Sequence, residues 1–195
     1  MKIPDILLAV QPVIQAFKKL SIPYYIGGSI ASSVYGMARA TLDVDIVADL
    51  KTNHSAHLNQ ILEDQYYIDE DMINDAIRTN SSFNLIHLET MIKIDVFIHQ
   101  DEPYPLAALQ RIRKDTFEDT ANVEFYFSSP EDIIIHKLQW YKMGGLVSER
   151  QWLDVIGVIK VQKDSLDKKY LERWSRKLGL STLLKEAFNA KDVKL

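Results

Sequence analysis

Apolar residues recur through residues 4–20 at Ile6, Leu7, Val10, Val13, Ile14 and Phe17. They stand three or four apart, the period of a helix that buries one stripe. Pro4 suits the first turn and Pro23 ends the helix. Tyr24-Tyr25-Ile26 reads as a short strand running into Gly27-Gly28, and 29–36 as a short helix closing at Gly36. The pattern then changes to alternation. Residues 42–50 form a strand, 54–64 a helix, and 83–88 and 92–98 two strands joined by Glu89-Thr90-Met91. A short helix at 104–112 and a strand at 123–127 follow.

After Ser128 the pattern is helical to the end. Ser129-Pro130-Glu131-Asp132 is a helix start: a serine cap, proline in the first turn and a carboxylate three residues after the cap. Helices are expected over 130–143, 149–162, 167–178 and 181–190. Strands first and helices later give an α+β fold. The expected division is a mixed-sheet α/β core over residues 1–128 and a C-terminal helical bundle over 129–195.

Composition narrows the chemistry. The 195 residues suit one domain or one domain with an appended piece, and 47% hydrophobic residues supply a real core. There is no cysteine, which removes disulfides, thiolate zinc sites and cysteine nucleophiles together. No apolar run reaches a membrane-spanning length of about 18 residues. The N-terminal apolar stretch is broken by Gln11, Pro12 and Gln15, unlike a secretory signal. A soluble, cytoplasmic protein with no membrane partner is expected. Net charge is −4, and residues 160–195 are basic against an acidic remainder. The whole chain therefore lacks the footprint of a nucleic-acid binder. The basic tail is either a solvated lysine-rich helix face or a local meeting point for a polyanion.

The candidate chemistry sits on two strands. In Asp43-Val44-Asp45 the carboxylates share one face of a strand, while Val44, Ile46 and Ala48 point the other way. Side-by-side carboxylates repel, and a hard cation such as Mg²⁺ relieves that repulsion. With 17 aspartates in the chain such pairs also arise by chance, and Asp69-Glu70-Asp71 reads as an ordinary acidic turn or helix start. Context separates the two, because Asp43 and Asp45 lie in an apolar strand where an unpaired charge is costly. Asp95 repeats the oddity, sharing a face with Lys93 and Phe97 while Ile92, Ile94, Val96 and Ile98 form the apolar face. The plain alternative is an ion pair with a nearby lysine or arginine. Gly27-Gly28-Ser29, between a strand and a helix, lets a ligand approach the backbone and offers free N–H groups and a hydroxyl to an anion. Alone, it is also a common tight turn with a serine cap.

Gly28-Ser29, Asp43-x-Asp45 and a third aspartate, Asp95, on a later strand resemble the nucleotidyltransferase superfamily typified by DNA polymerase beta. The fuller string, Gly27-Gly28-Ser29-Ile30-Ala31, Gly36, Arg39, Thr41, Asp43 and Asp45, is similar to its abortive-infection (AbiEii-type) and related small bacterial branches. Ser129 to Asp132 with Lys137, then Arg150 and Asp154, is similar to their helical segment. The resemblance implies a nucleotidyltransferase-like core that moves a nucleoside monophosphate from a nucleoside triphosphate, ATP among them, to an acceptor hydroxyl. Asp43, Asp45 and Asp95 would be the catalytic residues and hold one or two Mg²⁺ ions. Asp95 would also help take the acceptor's proton. Gly27, Gly28, Ser29, Arg39, Thr41 and Lys137 would hold the nucleotide and its phosphates. The acceptor stays open between tRNA, a protein hydroxyl and a small molecule, and a toxin role with an antitoxin partner is implied by resemblance alone. A non-catalytic binding module on the same fold is the competing expectation. A phosphohydrolase is disfavoured, since the five histidines show no metal-ligand spacing.

Other residues carry two readings each. Lys137 falls inside the apolar stripe of Ile133, Ile134, Trp140 and Tyr141, so it either snorkels to solvent or points at an anion. Arg39 holds phosphate, fixes the acidic cluster or is an exposed loop residue. Arg150 and Asp154 are spaced to bridge each other on one helix. Trp140, Trp152 and Trp174 are expected in the core. Ser32, Ser33 and Tyr35 lack a histidine–acid pair for nucleophile chemistry.

Overall fold

The structure is a computed structural model that describes residues 5–116 and 124–190. Pro4, Val123 and the tail beyond residue 190 lie outside the described residues. The chain falls into two compact units: residues 1–27 with 41–127, and residues 28–40 with 128–195.

The first unit is built on a seven-stranded mixed sheet in the order β3-β4-β5-β2-β1-β7-β6. Its strands are β1 (Tyr24–Ile26), β2 (Asp43–Ala48), β3 (Tyr66–Tyr67), β4 (Ser82–His87), β5 (Lys93–Ile98), β6 (Arg113–Thr116) and β7 (Glu124–Phe127). The neighbouring pairs β2–β5 and β1–β7 are parallel, and the remaining pairs are antiparallel. β2, β4 and β5 each alternate between buried and open positions, as expected for strands with one covered face. The covered face carries Val44, Ile46, Phe83, Leu85, Ile94 and Val96, all buried. The helices of this unit are α1 (Asp5–Lys19), α3 (Thr52–Leu62), α4 (Glu70–Thr79) and α5 (Pro103–Leu109). Val13, Ile14 and Phe17 of α1, Leu58 and Leu62 of α3 and Ile73 of α4 supply the buried apolar side chains. The Tyr66 hydroxyl donates to the Ala9 carbonyl at 2.6 Å and ties β3 to α1. The hairpin of β4 and β5 turns where expected, with Met91 at φ 58.

The second unit is helical: α2 (Gly28–Tyr35), α6 (Pro130–Met143), α7 (Glu149–Gln162), α8 (Lys168–Lys177) and α9 (Ser181–Ala190). α7 is buried continuously from Asp154 to Ile159, the mark of a helix surrounded by others. The Ser129 cap accepts from the Asp132 N–H at 3.2 Å. Asp132 in turn accepts from the Tyr170 hydroxyl at 2.7 Å, joining α6 to α8. Residues 28–40 pack with these helices rather than with the sheet, because α2 lies directly on α7. A Cβ added at Gly36 would stand 2.8 Å from the Ser32 oxygen and 2.9 Å from the Val158 nitrogen. Both obstacles are backbone and cannot rotate away. Gly36→Ala is therefore expected to destabilise the protein by about 1–3 kcal/mol through overpacking, read as a lowered midpoint in chemical denaturation.

Two expectations differ from the structure. Trp140 is 52% exposed and Trp152 half-buried rather than core; around Trp140 the last turn of α6 and the loop after it are exposed. Arg150 is exposed, and Asp154 is buried against other cations instead. Asp69-Glu70-Asp71 takes the second of its two expected readings, a helix start: Asp69 caps α4 and accepts from the Met72 N–H at 2.9 Å.

Candidate active site

In the first unit, β2 and β5 run parallel in a register that pairs Asp43 with Lys93 and Asp45 with Asp95. Neighbouring strands lie about 4.8 Å apart. Asp43, Asp45 and Asp95 thus occupy adjoining positions on the open face of the sheet, as their spacing within each strand requires. Asn84 of β4 stands opposite Asp95 on its other side. Asp43 is exposed, and Asp45 and Asp95 are half-buried. The Thr41 hydroxyl lies 3.4 Å from the Asp43 Oδ1 and 3.3 Å from its carbonyl oxygen, so Thr41 orients the first carboxylate.

One cation already serves this face. Lys93 Nζ pairs with Asp95 Oδ2 at 2.7 Å. The hydrogen bond to Asp95, opposed by partial burial, together with attraction from Asp95, Asp43 and Asp45, raises the lysine's pKa above its ordinary value. Among the described residues, no three histidine or carboxylate side chains are gathered closely enough to form a ready-made metal cluster. The donor set nevertheless suits Mg²⁺. Two carboxylates at i and i+2 are hard oxygen ligands, and this ion is commonly held by one or two carboxylates with substrate phosphates completing its shell.

The glycine turn joins this strand through Gly27, whose N–H donates to the Asp45 carbonyl at 2.9 Å. Gly27 is buried, yet an added Cβ there would meet nothing within 4 Å. Open space beside covered backbone is a feature a ligand can use.

In the second unit, Gly28 begins α2 at φ 53, a conformation glycine takes without strain. The Ser29 hydroxyl accepts from Arg39 Nη2, leaving its own O–H to donate. Arg39 Nε also donates to Asp154 Oδ1 at 3.0 Å, and Lys137 Nζ pairs with Asp154 Oδ2 at 2.8 Å. The Lys137 and Asp154 side chains are 6% and 4% exposed, and Arg39 is 27% exposed. Lys137 therefore does not snorkel: its anion is Asp154. Arg39 is anchored by Asp154 as well. The arrangement sets two cations against one carboxylate, an excess positive charge beside the Ser29 hydroxyl.

The structure thus brings Gly27, Thr41, Asp43, Asp45 and Asp95 together in the first unit, and Gly28, Ser29, Arg39 and Lys137 in the second. Sequence reasoning missed two participants. Lys93 was visible as a same-face neighbour of Asp95. Asp154 was visible only as a helical partner of Arg150, and nothing local signals its pairing with Arg39, 115 residues away.

No family model and no curated protein sequence matches the chain. Solved structures do. A crystal structure of an antigenic nucleotidyltransferase-like protein from Paracoccidioides brasiliensis matches with a TM-score of 0.56 at 20% identity, covering 94% of this chain and 92% of that one. ANT(2'')-Ia in complex with adenylyl-2''-tobramycin matches with a TM-score of 0.58 at 14% identity, over 90% of this chain and 98% of that one. The solution structure of the antibiotic-resistance factor ANT(2'')-Ia gives 0.52 at 16% identity, over 94% and 93%. The chain has the α+β fold of these nucleotidyltransferase-like proteins.

Proposed function

We propose that the chain is a Mg²⁺-dependent nucleotidyltransferase that moves a nucleoside monophosphate from a nucleoside triphosphate to an acceptor hydroxyl and releases pyrophosphate. The observation that carries this reading is the register of β2 and β5, which sets Asp45 beside Asp95 and Asp43 next along the same open face. The fold shared with nucleotidyltransferase-like proteins supports it.

Asp43 and Asp45 would hold Mg²⁺, with Asp95 as the third carboxylate of the face. The bound ion would supply charge neutralisation on the phosphates and a more acidic acceptor hydroxyl. Thr41 keeps Asp43 turned for that task. Asp95 takes the acceptor's proton as its oxygen attacks the α-phosphorus. The open space at Gly27 and the N–H groups of Gly28 and Ser29 receive the triphosphate, since a helix start favours an anion. Arg39 and Lys137, both fixed by Asp154, provide the positive charge that leaving pyrophosphate needs.

The Arg39-x-Thr41-x-Asp43-x-Asp45 string favours the small bacterial AbiEii-type branch, with a cytoplasmic setting and an antitoxin partner. Among the described residues, no helix is long and apolar enough to cross a membrane. For the acceptor, the outer face of α8 favours a polyanion. Lys168, Lys169, Arg173, Arg176 and Lys177 are all exposed there. Arg173 and Lys177 are steadied over the Trp174 ring, at 5.1 and 4.8 Å from its centroid. tRNA fits this chemistry better than an uncharged small molecule does.

Incubation with each of four α-labelled triphosphates, Mg²⁺ and a cell extract tests the reading. Label in an RNase-sensitive product is expected. Label on a small molecule or protein would keep the reaction and change the acceptor. No transfer to any fraction would favour the non-catalytic binding module. Gly27→Val provides an independent check. Its side chain enters open space, so the metal-free fold is expected to keep its melting temperature while stabilisation by nucleotide with Mg²⁺ disappears. Persistent stabilisation would put the triphosphate elsewhere. Gly28→Val is the poorer test, because a β-branched residue at positive φ strains the backbone itself.

A further inference from the structure

Lys93 stands on the same sheet face as the three carboxylates. It lies opposite Asp43 in register and two residues before Asp95 on the same face. Its ammonium holds Asp95 Oδ2 at 2.7 Å. It is also attracted by Asp43 and Asp45, so all three carboxylates act on one cation. The side chain is 49% exposed. Asp95 is thereby tied to a protein cation, and no three carboxylates close around a common point among the described residues.

We propose that Lys93 is a built-in countercharge that replaces one metal ion, so that the site takes a single divalent cation at Asp43 and Asp45. This rests on the metal reading of the three aspartates and deepens it. A second cation next to Asp95 must displace the ammonium and endure its repulsion. A divalent ion at Asp43 and Asp45 leaves Asp95 held in place by Lys93. The lysine is a positioning residue: it acts through Asp95 and is not itself assigned a contact with substrate.

Mn²⁺ serves as the probe, because bound and free ion are counted directly by electron paramagnetic resonance without any turnover. The full-length protein, Lys93→Met, Lys93→Arg and Asp45→Asn are titrated at low ionic strength. Wild type is expected to bind one Mn²⁺ per chain, and Asp45→Asn to lose it. Lys93→Met is expected to bind a second Mn²⁺ and to hold the first roughly tenfold more tightly, the order expected from removing a nearby like charge in a largely aqueous site. Lys93→Arg, which keeps the charge, is expected to behave as wild type. Two ions on wild type, or equal number and affinity in wild type and Lys93→Met, would overturn the proposal while leaving the metal reading intact. Absence of any Mn²⁺ site sensitive to Asp45→Asn would overturn both.

Discussion

Asp45→Asn is expected to reduce nucleotidyl transfer about a thousandfold, equivalent to roughly 4 kcal/mol of lost transition-state stabilisation, while metal-free stability stays equal or rises. The substitution preserves shape and hydrogen-bonding reach and removes one negative charge. Asp45 stands directly beside Asp95 in the β2–β5 register, with Asp43 on the same face. Lys93, half-exposed, pairs with Asp95 and offsets part of that negative charge. Without metal, the carboxylates therefore repel one another, and neutralising one relieves the repulsion. The gain is expected to be at most about 1 kcal/mol, since exposed charges are well screened. Kinetics and thermal melts in chelator measure the two quantities separately. A clear loss of metal-free stability would identify Asp45 as a structural ion-pair partner and remove it from the proposed chemistry.

Asp154→Asn is expected to be far more damaging to stability than Lys137→Met, although the two side chains touch. The reason is the count of charges. Arg39 and Lys137 share Asp154, and the Lys137 and Asp154 side chains are almost wholly buried. Removing the carboxylate leaves two neighbouring cations without their shared counterion, a loss of about 3–5 kcal/mol. In a chain of this size that lowers the melting temperature by roughly 6–20 °C. Removing Lys137 leaves the pair of Arg39 and Asp154, and methionine fills the volume of the lysine stem. Lys137→Met is therefore expected to change stability by less than about 1.5 kcal/mol. Its cost falls on catalysis. If Lys137 serves the leaving pyrophosphate as proposed, the lost charge-assisted bond is worth roughly 1.5–3 kcal/mol, or about 10- to 200-fold in rate. Equal destabilisation by the two variants would contradict the charge count. An unchanged rate in Lys137→Met would make the lysine a purely structural partner of Asp154.

These two sites also show what a sequence can and cannot disclose. The period-2 alternation around Asp43, Asp45 and Asp95 identified both strands and the face each carboxylate takes, because side-chain direction in a strand is set by the residue's own position. That the two strands are neighbours, and in a register placing Asp45 beside Asp95, is a long-range fact with no local signature. The same holds for Asp154. Its spacing from Arg150 satisfied the helical rule for a salt bridge, yet tertiary packing turned it inward to Arg39 and Lys137. β3 and β6 went unseen for a different reason. β3 is two residues long, and β6, Arg113–Thr116, is a polar sheet-edge strand with no apolar alternation. For Asp69-Glu70-Asp71 the sequence allows a turn or a helix start, and the Asp69 cap bond makes it the start of α4. Trp140 followed the apolar stripe of α6, but the stripe outruns the neighbouring helices that would cover it.

The most direct test of nucleotidyl transfer follows the fate of two phosphates of one triphosphate. Parallel reactions with α-labelled and γ-labelled nucleotide, acceptor and Mg²⁺ are run with wild type and with Asp45→Asn. The account predicts that α-label is retained on the acceptor, that γ-label is released as pyrophosphate, and that Asp45→Asn does neither. Retention of γ-label on the acceptor, or release of γ-label as inorganic phosphate with no α-label transferred, would contradict it.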